Sequence, residues 1–136
     1  LKISTVDPLG RPIMASYLYQ KSFKRATIET SRASGFELLH ESERNCMKTS
    51  SYGTGLLIAD ALKLGANEIV LTVGGTATND AGIGIASALG IKFLDKNKNI
   101  LDPIGENLIK IKAIDTSQSI VKNKNCKFSS KCFYIS

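Results

Sequence analysis

The run Glu68-Ile69-Val70-Leu71-Thr72-Val73, followed at once by Gly74-Gly75-Thr76-Ala77-Thr78-Asn79-Asp80-Ala81-Gly82, constrains this chain more than any other feature. A short, largely β-branched apolar run suits a strand covered on both faces. Glycines and short polar residues cannot carry that strand onward and suit a tight loop instead. Upstream, Leu57, Ile58, Ala61, Leu62 and Leu64 recur at helical spacing behind the small-residue segment Ser51-Tyr52-Gly53-Thr54-Gly55, and Gly65 is placed to end that helix. Downstream, a second helix runs to about Leu89, Gly90 closes it, and Ile91-Lys92-Phe93-Leu94-Asp95 reads as the next strand. Helix, strand, glycine loop, helix and strand over residues 51–95 predict an α/β fold. It should have a parallel or mixed sheet, flanking helices in three layers and a right-handed crossover.

The remaining segments fit around that unit. Asp7-Pro8-Leu9-Gly10-Arg11-Pro12 is a turn between extended segments within residues 2–20, and Ala26-Thr27-Ile28-Glu29-Thr30 is a further strand candidate. With 43% apolar and 22% charged residues, the 136-residue chain can build one core of ordinary size. No apolar run approaches the roughly 20 residues of a membrane-spanning helix, and the opening Leu1-Lys2-Ile3-Ser4-Thr5-Val6 is strand-like rather than leader-like. A cytoplasmic setting is expected. Cys46, Cys126 and Cys132 include no CxxC pair, and His40 is the sole histidine, so free thiols are expected rather than a zinc site. Residues 1–109 hold 12 basic and 11 acidic side chains, whereas residues 110–136 hold six lysines and one aspartate. The net charge of +6 is therefore a property of the tail. Residues 1–117 read as the α/β region and residues 118–136 as a basic, irregular, solvated tail. Without arginine or a recognised nucleic-acid motif, that tail gives no reason to expect a nucleic-acid partner.

The loop between the buried strand and the second helix is the main candidate for chemistry. Ligands of α/β sheets gather outside the carboxyl ends of strands. A helix start offers unpaired N–H groups, and glycines let backbone approach an anion closely. Gly74, Gly75, Thr76, Thr78 and Asn79 are thus candidate anion-binding residues. Asp80, a carboxylate beside an anion site, makes sense as a partner for Mg²⁺ or as general base for a substrate hydroxyl, and the residues leave both roles open. Ordinary helix capping by Asn79 or Asp80 is the competing explanation. The loop is neither a P-loop nor a dinucleotide fingerprint, since it lacks the lysine of the one and the glycine spacing of the other. Ser51, Gly53, Thr54 and Gly55 form a second small-residue helix entry, for which capping by Ser51 or Thr54 is the competing explanation; it would make a two-sided anion cleft with the first only if the two helices run in the same direction. Arg11, on the turn, has the fork that clamps a carboxylate.

These segments together resemble the class I glycerate kinases. The similarity lies in Asp7-Pro8-Leu9-Gly10-Arg11-Pro12, Ala33-Ser34-Gly35, Glu43-Arg44-Asn45, Ser51 to Gly55, Gly74 to Gly82 and Ala88-Leu89-Gly90, over about residues 3–117. The resemblance implies ATP-dependent phosphorylation of D-glycerate to a phosphoglycerate, with Mg²⁺, in a cleft between two α/β domains. It implies that the Gly74–Gly82 loop holds glycerate or the nucleotide phosphates and that Asp80 is the catalytic residue or magnesium partner. A homo-oligomer is compatible with it. The sequence from Asn125 to Ser136 departs from the family's pattern, and the chain reads as an internal, truncated part of such an enzyme. The alternative is a non-catalytic remnant that binds a small anion or nucleotide.

Overall fold

The protein was analysed as a computed structural model that describes residues 1–132. Strands β1 (Lys2–Val6) and β2 (Pro12–Ser16) pair antiparallel as a two-stranded sheet. Asp7 organises the turn between them: its Oδ1 accepts the amides of Leu9 (2.9 Å) and Arg11 (3.0 Å), and its backbone oxygen accepts Gly10 N–H. Gly10, at φ +82°, supplies the left-handed residue this turn requires. After Tyr17 the chain enters a second sheet of β3 (Leu18–Gln20), β4 (Arg25–Glu29), β5 (Glu68–Val73) and β8 (Lys127–Cys132), in the order β3-β4-β5-β8. The β3–β4 pair is antiparallel, and β4–β5 and β5–β8 are parallel. Helix α1 (Ser31–Ser34) follows β4, and α2 (Tyr52–Lys63) returns the chain to β5. Helix α3 (Ile83–Ala88) leads to β6 (Lys92–Leu94), which pairs antiparallel with β7 (Ala113–Asp115) in a separate two-stranded sheet.

The mixed α/β class stands, but the parallel unit is β4–α2–β5 and not β5–α3–β6. Length explains the difference. A crossover helix must carry the chain back along its strand. The six residues of β5 span roughly 20 Å, and the six-residue α3 is only about 9 Å long. The 12 residues of α2 span about 18 Å and suffice. The basic tail also differs from expectation: Lys127–Cys132 form an edge strand on β5, because alternate residues such as Phe128 and Ser130 fall opposite Ile69 and Leu71. The last four residues of the tail lie outside the described part.

The core is the seam between α2 and one face of the large sheet. Leu57, Ile58, Ala61 and Leu62 are buried on α2 against Ala26 and Ile28 of β4 and Ile69 of β5. Each large side chain so buried contributes about 1.5–3 kcal/mol. Leu64, expected in the stripe, stands half exposed beside Gly65, whose φ of +93° ends the helix. The opposite sheet face carries Arg25, Thr27, Glu68, Val70 and Thr72 around a polar groove, with no helix over it among the described residues. No helix of these residues is long and apolar enough to cross a membrane.

Tyr17 fastens the hairpin region to α2. Its hydroxyl donates to Asp60 Oδ2 at 2.6 Å and its ring is buried. Burial first, and then the bond to Asp60, push the phenol well above its ordinary range. The folded chain keeps this proton at a pH where the unfolded chain, with a tyrosine pKa of about 10, releases it. The resulting stabilisation is complete below that pH and is lost as pH rises toward the folded value. An ultraviolet phenolate titration should therefore show Tyr17 ionising only with alkaline unfolding. A Tyr17→Phe protein should lose that component, and ionisation of every tyrosine in the folded chain near the normal pKa would contradict this account.

Candidate functional site

The loop after β5 is held by backbone pairing to α1. Phe36 N–H donates to Gly75 O at 3.1 Å, Ala77 N–H donates to Ser34 O at 2.8 Å, and Thr49 Oγ1 donates to Ala77 O at 2.7 Å. Gly74 and Gly75 take φ values of +151° and +62°, which side-chain-bearing residues rarely adopt, so glycine is needed for the chain to turn off the strand here.

Asp80 does not stand free beside an anion site. It is 3% exposed, and its carboxylate accepts Ser51 N–H (2.8 Å), Ser51 Oγ–H (2.8 Å), Gly82 N–H (3.1 Å) and Gly84 N–H (3.1 Å). Ser51 Oγ in turn accepts Ile85 N–H at 3.1 Å. The helix starts of α2 and α3 meet at Asp80, so the anion between them is the chain's own. This corrects the expectation that the first turn of α3 offers bare amides to a ligand: Asp80 and Ser51 already occupy them. Opposed N-terminal dipoles favour a carboxylate there.

Gly53 and Gly55 likewise serve packing and not ligand approach. A methyl group on Gly53 would strike Val6 O, and one on Gly55 would meet the Ala88 Cβ at 2.5 Å. Arg11 is also placed differently from expectation. Its guanidinium is committed to Asp7 Oδ2 (2.6 Å) and Glu43 Oε1 (2.8 Å), and it lines a different surface from the loop. Those acids hold the guanidinium charged far above the ordinary range, and Arg11 in turn lowers the Glu43 carboxyl.

What remains at the carboxyl ends of β4 and β5 is a cleft of about 220 Å³. Thr30, Ser34 and Thr54 form its floor, and Thr76, Thr78 and Asn79 form the loop wall. Thr30 and Ser34 escaped the sequence reading as site residues. The sequence marks Thr30 only as the end of a strand, and the small-residue step Ala33-Ser34-Gly35, the only signal for Ser34, gives no chemistry. Among the described residues, the amides of Thr78, Asn79, Asp80 and Ala81 and the side chains of Thr76, Thr78 and Asn79 have no hydrogen-bond partner within the protein. A larger cleft, about 580 Å³, lies between β2 and α1 and meets the loop only at Gly75. Its lining includes the exposed Glu29–Arg32 ion pair, at 2.8 Å. The described residues include no group of three His, Cys, Asp or Glu side chains that could hold a metal ion. With its oxygens engaged, Asp80 is no open ligand, so these residues do not fit a protein-held Mg²⁺.

A polar cleft at the carboxyl ends of parallel strands lies where α/β proteins gather their ligands. The chain belongs to the glycerate kinase family, whose model matches residues 1–133. It is 40% identical over 132 residues to a glycerate kinase of Bacillus cereus, covering 97% of this chain and 35% of that protein. It is 40% identical over 125 residues to the glycerate 2-kinase of Escherichia coli, covering 92% of this chain and 33% of that protein. A solved structure of a glycerate kinase 2 homologue from Salmonella typhimurium superposes with a TM-score of 0.92 at 34% identity, covering 98% of this chain and 36% of that one. The chain thus spans about a third of the length of the curated relatives it matches.

Proposed function

We propose that this chain supplies the acid-binding cleft of an enzyme that phosphorylates D-glycerate to phosphoglycerate with ATP in the cytoplasm. The observation that carries this reading is the cleft at the ends of β4 and β5. It combines buried hydroxyls with a loop, Thr78 to Ala81, whose amides are unpaired among the described residues. Family membership supplies the reaction class. At about 220 Å³ the cleft is smaller than the roughly 300–1,000 Å³ of clefts for drug-sized ligands. It suits a three-carbon acid and not a whole nucleotide, so ATP and its Mg²⁺ would lie outside it. In this reading the loop amides bind the acid's negative end. Asp80 acts as a positioning residue that fixes the loop between α2 and α3, and neither deprotonates the substrate nor holds a metal.

Isothermal titration of the purified chain with D-glycerate tests the cleft, and a coupled assay for ADP release with Mg-ATP tests turnover. Binding is expected at or below about 1 mM, the upper end of the usual range for metabolic substrates. Binding without turnover would mark this chain as a binding part only. No binding, together with no ADP release, would remove the assignment of glycerate to this cleft.

A further inference from the structure

Residues 75–77 are clamped before the loop reaches the cleft. Thr76 bridges to Gly35, Phe36 N–H donates to Gly75 O, and Ala77 N–H donates to Ser34 O. One further bond comes from outside this ladder. Thr49, fully buried just ahead of α2, donates its Oγ1 proton to Ala77 O at 2.7 Å. The proton can run only this way, because a carbonyl oxygen has none to give. Ala77 O takes no second partner among the described residues. Thr49 does not border the cleft, whereas Thr78 does and is half-buried.

The peptide unit from Ala77 to Thr78 is trans, and a trans peptide is planar, with its C=O and N–H pointing in opposite directions. Holding Ala77 O against Thr49 therefore aims Thr78 N–H away from Thr49, on the side of the cleft. That amide has no partner among the described residues. Releasing the carbonyl would let the unit rotate and bring an oxygen to where the amide stood. A carboxylate would then meet the negative end of the peptide dipole in place of the positive one.

We infer that Thr49 is a positioning residue of this cleft, aiming the Thr78 amide at the carboxylate of the bound acid through its bond to Ala77 O; the inference rests on the placement of glycerate proposed above. Thr49 itself stays out of contact with the acid. The adjacent hydroxyls are engaged elsewhere, since Ser50 Oγ accepts Tyr52 N–H and Ser51 Oγ donates to Asp80. Thr49 thus fixes the near end of the free run of amides, as Asp80 fixes its far end.

The test titrates the isotope-labelled full chain with D-glycerate and follows each backbone amide in proton–nitrogen NMR spectra. In the wild-type chain the Thr78 amide resonance should move downfield as the acid is added. Thr49→Val keeps the volume and removes the donor. Its glycerate affinity should fall by about tenfold to a hundredfold, the equivalent of one hydrogen bond to a charged group, and the Thr78 shift should disappear. Thr49→Ser keeps the donor and should bind within about threefold of wild type, with the Thr78 shift restored. A role in packing alone gives the opposite order, since valine fills the site and serine leaves out a methyl group. If Thr49→Val does not fold, the wild-type and Thr49→Ser spectra still decide. A chain that binds glycerate with the Thr78 amide unmoved, or a folded Thr49→Val chain with wild-type affinity, overturns the inference and leaves the proposed function intact. Failure of the wild-type chain to bind glycerate overturns both.

Discussion

Gly84→Ala should lower the stability of this chain by about 2–4 kcal/mol, although alanine is the better helix former. In an open helix the exchange gains about 1 kcal/mol. Here the added methyl would lie 2.5 Å from Ser50 Oγ, 2.5 Å from Tyr52 N and 2.6 Å from Asp80 Oδ2. Ser50 can rotate away. Tyr52 N is backbone at the start of α2, and Asp80 is held by donors from both helices. To admit the methyl, α3 must move off α2, which breaks the Gly84 N–H bond to Asp80 and the Ile85 N–H bond to Ser51. Overpacking typically costs about 1–3 kcal/mol, and two weakened buried bonds add to it. Against a typical total of about 5–15 kcal/mol, this is a large fraction. Gly65→Ala separates space from backbone conformation. That site has φ +93° with nothing within 4 Å of the added carbon, so only about 1 kcal/mol of left-handed strain is expected. Urea unfolding followed by circular dichroism measures both. Equal losses for the two would show that the helix junction yields easily, and the cleft would then lack its fixed wall.

The same junction explains what could be read from the sequence and what could not. The helix from Tyr52, the strand Glu68–Val73, the Asp7 turn and the stop at Gly65 were legible because each is written in local periodicity or in the needs of a single turn. Sheet partners were not. Ile91–Asp95 carries as good a strand signal as Ala26–Thr30. Only the reach of the intervening helices decides that β5 pairs with β4 and β8 while β6 leaves for β7. The site shows the same split. The run from Gly74 to Gly82 announced a loop with special chemistry, and that loop does border the cleft. The sequence could not show that Ser51, 29 positions before Asp80, would claim its carboxylate. Nor could it show that Thr30, Ser34 and Thr54 would share one wall. Those partnerships depend on α1, α2 and the loop meeting in space.

Asp80→Asn is the substitution that separates a chemical role from an architectural one. If Asp80 only moved a proton, the asparagine variant would fold as well as the wild type and merely fail to turn over. The structure leads to a different expectation. All the partners of the carboxylate are donors: Ser51 N–H and Oγ–H, Gly82 N–H and Gly84 N–H. Asparagine keeps one acceptor oxygen and turns an NH₂ group toward donors on the other side, so at least one buried amide loses its partner and meets another hydrogen. Ser51 Oγ can rotate, but it is also tied to Ile85 N–H, and turning it passes the defect to α3. A buried donor without a partner costs about 1–3 kcal/mol, and hydrogen bonds to a charged group are worth about 1.5–3 kcal/mol. A loss of about 3 kcal/mol in unfolding free energy is therefore expected. With it should come faster amide exchange at Gly82, Gly84 and Ser51 and weakened glycerate binding, because the loop from Thr78 to Ala81 is anchored at its far end by this residue. An Asp80→Asn chain with wild-type stability and wild-type exchange at these amides would return the carboxylate to the catalytic role.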